Sequence, residues 1–306
     1  MTQEANGVTP LLVTEDSITE LAVQRWGTAR DPRLAELLTA LVRHLHAFAR
    51  EVRLTEDEWM AAIGWLTRTG QMSDEKRQEF ILASDVLGLS MLVVQMNHRF
   101  DERATPATVL GPFYIEGSPD FEYGDDMSDG VEGDPLFVHG RVRDVDGRPI
   151  PGAVLDVWQA DAEGAYEAQL DVDEARLRGR FRSREDGGYC VRTIGPKGYT
   201  IPMDGTVGDL ISRTKISEYR PAHVHFRVDA PGYAPLVTHL FQKDAPYLDS
   251  DVVFGTKQQL VVPFEARQAG VTPTGTEMDR SWLEARYDFV LQPVNGAADG
   301  AAGARG

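Results

Sequence analysis

The sequence contains a single cysteine, Cys190, among its 306 residues. One cysteine excludes an intramolecular disulfide and a cysteine-rich zinc site, so we expect a reducing compartment, by default the cytoplasm. Basic residues are also scarce, because 31 Lys and Arg stand against 48 Asp and Glu and leave a formal net charge of -17. Nucleic-acid binding depends on clustered positive charge, so this composition argues against a nucleic-acid partner.

Long apolar runs are absent as well. No stretch approaches the roughly 20 apolar residues of a transmembrane helix. The opening MTQEANGVTPLLVTEDSITE also lacks the basic and then apolar segments of a signal peptide. We therefore expect neither membrane insertion nor a cleaved leader. A length of 306 residues is enough for one large domain with an appendage, or for two domains.

Residues 17–101 carry the pattern of packed helices. The clearest helical face repeats at three- and four-residue steps through Leu34, Leu37, Leu38, Leu41, Leu45, Phe48 and Val52. A second helix is predicted after Thr55, which forms a capping box with Glu58. A third is predicted from near Ser73, and the apolar run 86–94 is expected to be buried on most sides.

The character of the sequence changes near residue 105, where proline, glycine and acidic residues replace the helical pattern. Short alternating segments separated by turns follow, including a predicted hairpin turn at 145–148. We predict an α+β protein with an α-helical N-terminal domain (1–104), an antiparallel β-sandwich (105–292) and a disordered Gly- and Ala-rich tail (293–306).

The sharpest local motif is RPAHVHF, which contains His223 and His225. On a strand the two imidazoles point to the same face and can reach one metal ion. A zinc or ferrous site would need a third ligand, for which His239 or Asp229 are candidates. Two hydrogen-bonded surface histidines are the simpler alternative, so this motif alone leaves the metal open.

Two tyrosines, Tyr166 and Tyr199, follow glycine-containing turns. Either one alone would usually be a half-buried aromatic residue whose hydroxyl binds the backbone. Together with the histidines they suggest a different metal, because phenolates are hard anionic donors that stabilise a trivalent ion. Such a cation removes protons from groups whose pKa in water is about 10.

Four segments, in order, resemble the intradiol ring-cleavage dioxygenases. They are LGPFY, GAVLDVWQADAEGAY, YCVRTIGPKGY and RPAHVHF, which begin at Leu110, Gly152, Tyr189 and Arg220. The resemblance covers nearly the whole chain. It implies one Fe(III) per subunit on four ligands, Tyr166, Tyr199, His223 and His225. It also implies an enzyme that uses O2 to open the ring of a vicinal aromatic diol and yields a dicarboxylic acid.

The same resemblance implies further roles. Tyr199 is expected to leave the metal as the diol binds and to take up a proton, and Arg220 to stabilise negative charge on the substrate. For Arg220 the simpler alternative is a surface salt bridge. The N-terminal helices look like the family's linker and dimerisation domain, which implies a homodimer through them, sometimes with a bound lipid. An amphipathic helix can equally face its own core.

The predicted substrate pocket is most similar to that of the family members that cleave hydroxyquinol, benzene-1,2,4-triol. Its wall comprises Leu82, Asp85, Val109, Leu110, Gly111, Pro112, Phe113, Ile201, Pro202 and Val253. Asp85 could accept a hydrogen bond from the third hydroxyl, although it could instead lie at a helix N-terminus or pair with an arginine. The expected product is 3-hydroxy-cis,cis-muconate, or its tautomer maleylacetate, in aromatic catabolism.

Three alternatives stay open at this point. Catechol or chlorocatechol could be the substrate in place of hydroxyquinol. A zinc or ferrous enzyme could use His223, His225 and His239. Residues 140–153 also resemble transthyretin-like and carbohydrate-binding sandwiches, so the chain could be a binding module without catalytic activity. Of these hypotheses, only a site with Fe(III) bound by tyrosines predicts a coloured protein.

Overall fold

The computed structural model describes residues 13–74, 77–170 and 175–294. The first residues, on which the absence of a leader was predicted, lie outside this part, and so does the predicted disordered tail from residue 295 onward. Val294 is described, and its N–H donates to Gly232 O at 3.0 Å. The chain divides into two compact units between Thr67 and Arg68. The boundary predicted after residue 104 stays a prediction.

The first unit is helical. It contains α1 (Ile18–Trp26), α2 (Pro32–Glu51) and most of α3 (Glu56–Met72). The predicted capping box before α3 is present, because Thr55 N donates to Glu58 Oε2 at 2.9 Å and Glu58 N donates to Thr55 Oγ1 at 3.3 Å. These local signals therefore set the helix boundary as the sequence predicts.

The apolar face of α2 forms as predicted but is not covered. Leu34, Leu37, Leu41, Leu45 and Phe48 are 45–54% exposed, and α2 buries none of its residues. Periodicity identifies an apolar face without revealing what covers it, and the described residues of a single chain leave this face exposed.

The described part of the second unit contains three further helices, α4 (Glu79–Val86), α5 (Leu89–Asn97) and α6 (Thr206–Ile211). The expectation that the run 86–94 is buried is wrong for α5, which buries only Met91 and leaves Leu89 and Leu92 exposed. No single described helix is long and apolar enough to span a membrane, although α4 and α5, bent by 78°, pass that test of length and composition together.

Among the residues that the structure describes, the strands of the second unit form two five-stranded sheets and two short two-stranded ones. In chain order they are β1 (Pro135–Asp144), β2 (Val154–Trp158), β3 (Arg178–Arg182), β4 (Gly188–Ile194), β5 (Tyr199–Thr200), β6 (Tyr219–Arg220), β7 (His223–Asp229), β8 (Leu236–Gln242), β9 (Val261–Val262), β10 (Glu265–Arg267), β11 (Gly270–Val271), β12 (Glu277–Met278), β13 (Trp282–Arg286) and β14 (Phe289–Leu291). One large sheet has the order β10-β13-β1-β14 with β4 on β1, and the other has the order β3-β2-β7-β8-β9.

The predicted helical domain and β-sandwich are confirmed, but the sheets are mixed instead of purely antiparallel. β1 pairs in parallel with β13 and β14, and β8 pairs in parallel with β9. The predicted turn at 145–148 is present, yet β1 and β2 on either side of it join different sheets. Alternation of side chains identifies a strand but not the direction of its partner, which long connections decide.

The apolar core is built from both large sheets. Along β7, Val224, Phe226 and Val228 point into this core. Successive strand residues face opposite sides, so His223 and His225 lie on the face of the sheet that is turned away from the core. The sandwich thereby provides a rigid base on which the histidines are placed.

Candidate metal centre

Strand register places three aromatic residues on the outer face of the β3-β2-β7-β8-β9 sheet. His225 lies opposite Trp158 on β2 and opposite His239 on β8. The Trp158 ring stacks on the His225 imidazole with centroids 4.7 Å apart and planes 18° apart. All three residues are buried, and so is His223. The alternative of two surface histidines is therefore excluded for this motif.

The two tyrosines arrive from turns that require glycine. Gly164, two residues before Tyr166, has φ +88°, and a Cβ built on it would lie 2.6 Å from Tyr199 Cβ. Only glycine tolerates both the left-handed backbone and this close approach. Tyr199 begins β5 and pairs with Arg220 on β6. The glycine contexts of both tyrosines therefore reflect the packing of one turn against the other.

Four donor atoms converge on the outer face of the sheet. Tyr166 Oη lies 2.9 Å from Tyr199 Oη, 2.8 Å from His225 Nε2 and 3.4 Å from His223 Nε2. The two Nε2 atoms are 3.1 Å apart, and Tyr199 Oη is 3.5 Å from His223 Nε2. Ligands bound at about 2.0–2.1 Å to one metal are about 3.0–3.4 Å from their neighbours. The spacing therefore fits a shared metal ion.

Protonation states also fit a cation. His223 Nδ1 donates to Pro221 O at 2.7 Å, so its Nε2 carries no proton. The Nε2 lone pair points toward the other three candidate metal ligands. Burial, with the charge of Arg220, lowers the pKa of His223 to about 3, and burial and His223 lower the pKa of His225 well below its usual value. Both imidazoles are thus neutral ligands at pH 7.

The phenols depend on a cation for their ionisation. Burial, reinforced by Tyr199, raises the pKa of Tyr166 well above its usual value, and burial likewise raises the pKa of Tyr199. Protein surroundings alone therefore keep both phenols protonated. A bound trivalent ion would lower the pKa of both phenols and favour their ionised form. The two phenols could then bind the ion as phenolates beside the two neutral imidazoles.

Arg220 contacts the cluster from one side. Its Nη1 lies 3.2 Å from His223 Nε2 and 3.5 Å from Tyr199 Oη, while Nε and Nη2 donate to the Asp251 carboxylate at 3.1 and 3.4 Å. Arg220 is buried, so the alternative that it only forms a surface salt bridge is wrong. Sequence reasoning missed Asp251, whose only signal is an acid among apolar residues in DSDVVFG.

His239 adds a third imidazole to the centre. Its ligand atoms and those of His223 and His225 lie within 4.8 Å of one another, so three histidines could hold a metal. Its Nδ1 lies 2.8 Å from Thr108 Oγ1, and its Nε2 has no hydrogen-bond partner among the described residues. The other candidate, Asp229, instead accepts from Arg227 Nε at 2.8 Å. The tighter cluster is the one that includes the tyrosines.

Part of the predicted substrate wall borders these donor atoms. Phe113 stacks on the Tyr166 ring with centroids 4.7 Å apart. A Cβ built on Gly111 would lie 3.6 Å from His225 Cε1. The turn that carries Gly111 and Phe113 therefore lies directly against the candidate centre.

Other wall residues surround an adjoining space. Pro112, Phe113 and Pro202 line a cavity of about 410 Å³, together with charged residues that include Arg77 and Asp204. Leu110 is 38% exposed and is the most exposed residue of the wall. The remaining apolar members of the wall are buried, namely Leu82, Val109, Ile201 and Val253.

Asp85 is a buried acid near the arginine. It is 1% exposed in the last turn of α4, so the alternative of a helix N-terminus is wrong. Its Oδ1 has no hydrogen-bond partner in the described part of the chain. Burial raises the pKa of Asp85, against opposing effects of Ser90 and of the Arg220 charge. An unsatisfied buried acceptor of this kind can take a hydrogen bond from a ligand.

Comparison with known proteins agrees with this geometry. A family model described as "Dioxygenase" matches residues 109–293, and one described as "Catechol dioxygenase N terminus" matches residues 31–105. Hydroxyquinol 1,2-dioxygenase of Nocardioides simplex is 48% identical over 92% of this chain and 96% of its own length. The 6-chlorohydroxyquinol 1,2-dioxygenase of Cupriavidus pinatubonensis is 47% identical over 92% and 98%.

A solved structure matches as well. Hydroxyquinol 1,2-dioxygenase from Pseudomonas putida superposes with a TM-score of 0.85 at 49% identity, covering 92% of this chain and 99% of that chain. The matches span both the helices and the sandwich, which excludes a stand-alone transthyretin-like binding module. This chain belongs to the intradiol ring-cleavage dioxygenases, a family of iron-dependent enzymes.

Proposed function

We propose that this chain cleaves hydroxyquinol between its two vicinal hydroxyl-bearing carbons with O2, to give 3-hydroxy-cis,cis-muconate or maleylacetate in aromatic catabolism. The observation that carries the proposal is the convergence of two phenol oxygens and two imidazole nitrogens, with spacings of 2.8–3.5 Å. The names and coverage of the relatives support the same reaction and substrate.

The proposed cofactor is one Fe(III) per subunit, held by Tyr166, Tyr199, His223 and His225. When bound, it would take both oxygens of the diol and make the aromatic ring reactive toward O2. The donor set supports this choice, because two anionic phenolates and two neutral imidazoles suit a hard trivalent ion. Burial of all four side chains keeps bulk water from their donor atoms.

Tyr199 is proposed to move a proton and Arg220 to stabilise charge. As the diol binds, the Tyr199 Oη would accept a proton from one substrate hydroxyl. Arg220 Nη1, 3.5 Å from that Oη, would lie beside the protonated phenol and the nearby substrate oxygen. A fixed positive charge at this position favours negative charge on the substrate as the ring opens. Tyr166 stays in place against Phe113.

Asp85 is the proposed specificity residue. Its unpaired Oδ1 would accept a hydrogen bond from the third hydroxyl of the triol, and catechol has no group there that can donate. The remaining wall residues enclose the ring: Leu82, Val109, Leu110, Gly111, Pro112, Phe113, Ile201, Pro202 and Val253. A substrate that lacks the third hydroxyl leaves the Asp85 carboxylate unsatisfied, which is the basis of discrimination.

Visible spectroscopy and oxygen uptake test the proposal. Protein supplied with iron should contain about one iron per chain and show a phenolate-to-iron absorption band that shifts when a catechol is added without O2. Oxygen uptake should then be fastest with benzene-1,2,4-triol, compared with catechol and 4-chlorocatechol. A colourless, iron-free protein would refute the ferric site. A coloured protein that prefers catechol or 4-chlorocatechol would refute only the substrate.

We also propose that the chain forms a homodimer through its N-terminal helices, with a lipid bound at the interface. The exposed apolar face of α2 supports this, since such a face is rarely left open to water. Leu41→Glu with Leu45→Glu should give monomers in sedimentation velocity, whereas Arg43→Glu on the opposite face should not. Mass spectrometry of an organic extract tests for lipid, and the cytoplasmic location stays a prediction.

A further inference from the structure

Asp251 binds the edge of the Arg220 guanidinium that points away from the candidate centre. Its Nε and Nη2 both donate to the carboxylate of Asp251, at 3.1 and 3.4 Å, and only Nη1 faces the candidate centre. Both side chains are buried. Paired contacts along one edge fix the plane of a guanidinium as well as its position. The direction of Nη1 is therefore set by Asp251.

Asp251 is itself fixed by the backbone around it. Its carboxylate accepts from Gly255 N at 2.9 Å and from Val253 N at 3.4 Å. The N–H of the next residue, Val252, donates to Tyr219 O at 3.2 Å, which ties this turn to the strand that ends in Arg220. These backbone contacts hold the carboxylate in a fixed position against the arginine.

The residue at position 255 has no room for a side chain. A Cβ built on Gly255 would lie 2.9 Å from Asp251 Oδ2 and 3.0 Å from Arg220 Nη2. The backbone therefore closes directly over the ion pair. Burial alone would raise the pKa of Asp251, but Arg220 outweighs it and lowers that pKa, so the carboxylate remains charged at neutral pH.

We propose that Asp251 is a positioning residue of the ring-cleavage reaction, which holds Arg220 Nη1 against Tyr199 Oη and the adjacent substrate position. This inference rests on the proposed function, in which Arg220 stabilises negative charge as the ring opens. Asp251 acts only through Arg220. Without the anchor, the arginine side chain can rotate its charge away from the place where negative charge develops.

Asp251→Asn tests the proposal, because it keeps the shape and one acceptor oxygen but removes the charge. We expect kcat to fall about 10- to 100-fold with KM changed less than about threefold, since the interaction is made in the transition state. The wavelength of the phenolate-to-iron band should change, because the substitution removes a negative charge beside the centre and frees Arg220 Nη1 to move relative to the Tyr199 phenolate. Iron content should match that of the unchanged protein.

Two further variants keep the test decisive. In an Arg220→Gln background, Asp251→Asn should cause no further loss of kcat and no further band shift, since residues that act as a unit are not additive. Gly255→Ala, which displaces the pair and leaves both charges, should reproduce the band shift even if Asp251→Asn folds poorly. Additive losses, or an unshifted band in both Asp251→Asn and Gly255→Ala, would overturn the proposal.

Asp144→Asn is the matched control. Asp144 is also a buried carboxylate, and it accepts from Arg148 Nε at 2.9 Å and from two backbone N–H groups in the turn after β1. It should lower thermal stability but leave kcat and the absorption band unchanged. All rates are measured on whichever diol the unchanged protein cleaves fastest. A wrong substrate assignment thus leaves this test intact, and an inactive, colourless protein would refute the proposed function itself.

Discussion

Replacement of Asp85 gives the sharpest test of how the pocket chooses its substrate. Asp85 is 1% exposed, and its Oδ1 has no partner among the described residues. A hydrogen bond between a hydroxyl and a buried charged acceptor contributes about 1.5–3 kcal/mol, and a neutral acceptor contributes about 0.5–1.5 kcal/mol. Since about 1.4 kcal/mol corresponds to a factor of ten, loss of the charged acceptor should cost a factor of about 10–150.

The measured quantity is the ratio of kcat/KM for benzene-1,2,4-triol to that for catechol. Asp85→Ala should lower this ratio about 10- to 150-fold, and Asp85→Asn, which keeps a neutral acceptor, about 5- to 15-fold. The ratio is informative because partial loss of iron or of folded protein affects both substrates equally. The two substrates should also respond in different directions. Replacement of Asp85 should lower kcat/KM for the triol but preserve or raise kcat/KM for catechol, because catechol leaves the Asp85 acceptor unsatisfied.

Ser84→Ala provides the matched control in the same helix. The Ser84 hydroxyl accepts from Ser90 Oγ at 2.9 Å, so its removal also perturbs a local hydrogen bond of α4. Its ratio should stay within about twofold of the unchanged protein. If both Asp85 variants also keep their ratio within that range, Asp85 does not read the third hydroxyl. The pocket argument would then be wrong, although the metal centre would stand.

Three further outcomes are expected. Tyr166→Phe should weaken the visible band, because it removes one of the two phenolate ligands. Tyr189→Phe, which removes a buried hydroxyl that donates to Tyr287 O at 2.8 Å, should keep the colour and lose only about 1 kcal/mol of stability. An undiminished band in Tyr166→Phe would contradict the ligand set. Burial raises the pKa of Cys190 to about 12, so a thiol reagent at pH 8 should label the unfolded but not the native protein. Gly140→Ala should lower the free energy of unfolding by about 3 kcal/mol or more in denaturant titration, because its Cβ would fall 1.8 Å from Tyr287 O; an unchanged midpoint would contradict this.

The parts of the site that sequence predicted are those with a local signature. His223 and His225 fall on one face because a strand repeats every two residues, and α2 begins at its proline because Asp31 caps it. Family motifs located the two tyrosines. In contrast, the ion pair between Arg220 and Asp251 joins positions 31 residues apart.

Two other features escaped prediction for the same physical reason. Contact between Thr108 and His239 joins positions 131 residues apart, and no local periodicity encodes it. Parallel pairing of β1 with β13 and β14 likewise depends on where the chain returns after long connections.

Charge balance explains why these particular residues surround a buried centre. Arg220 and Asp251 neutralise each other, and His223 and His225 are neutral at pH 7. If Tyr166 is a phenolate and a diol binds with both oxygens deprotonated, the ligands together carry three negative charges. A trivalent ion matches them, whereas a divalent ion would leave one uncompensated charge in a buried site, which is costly. Proton transfer from one substrate hydroxyl to Tyr199, with the other proton going to water, would leave these three charges, which would link the choice of metal to Tyr199.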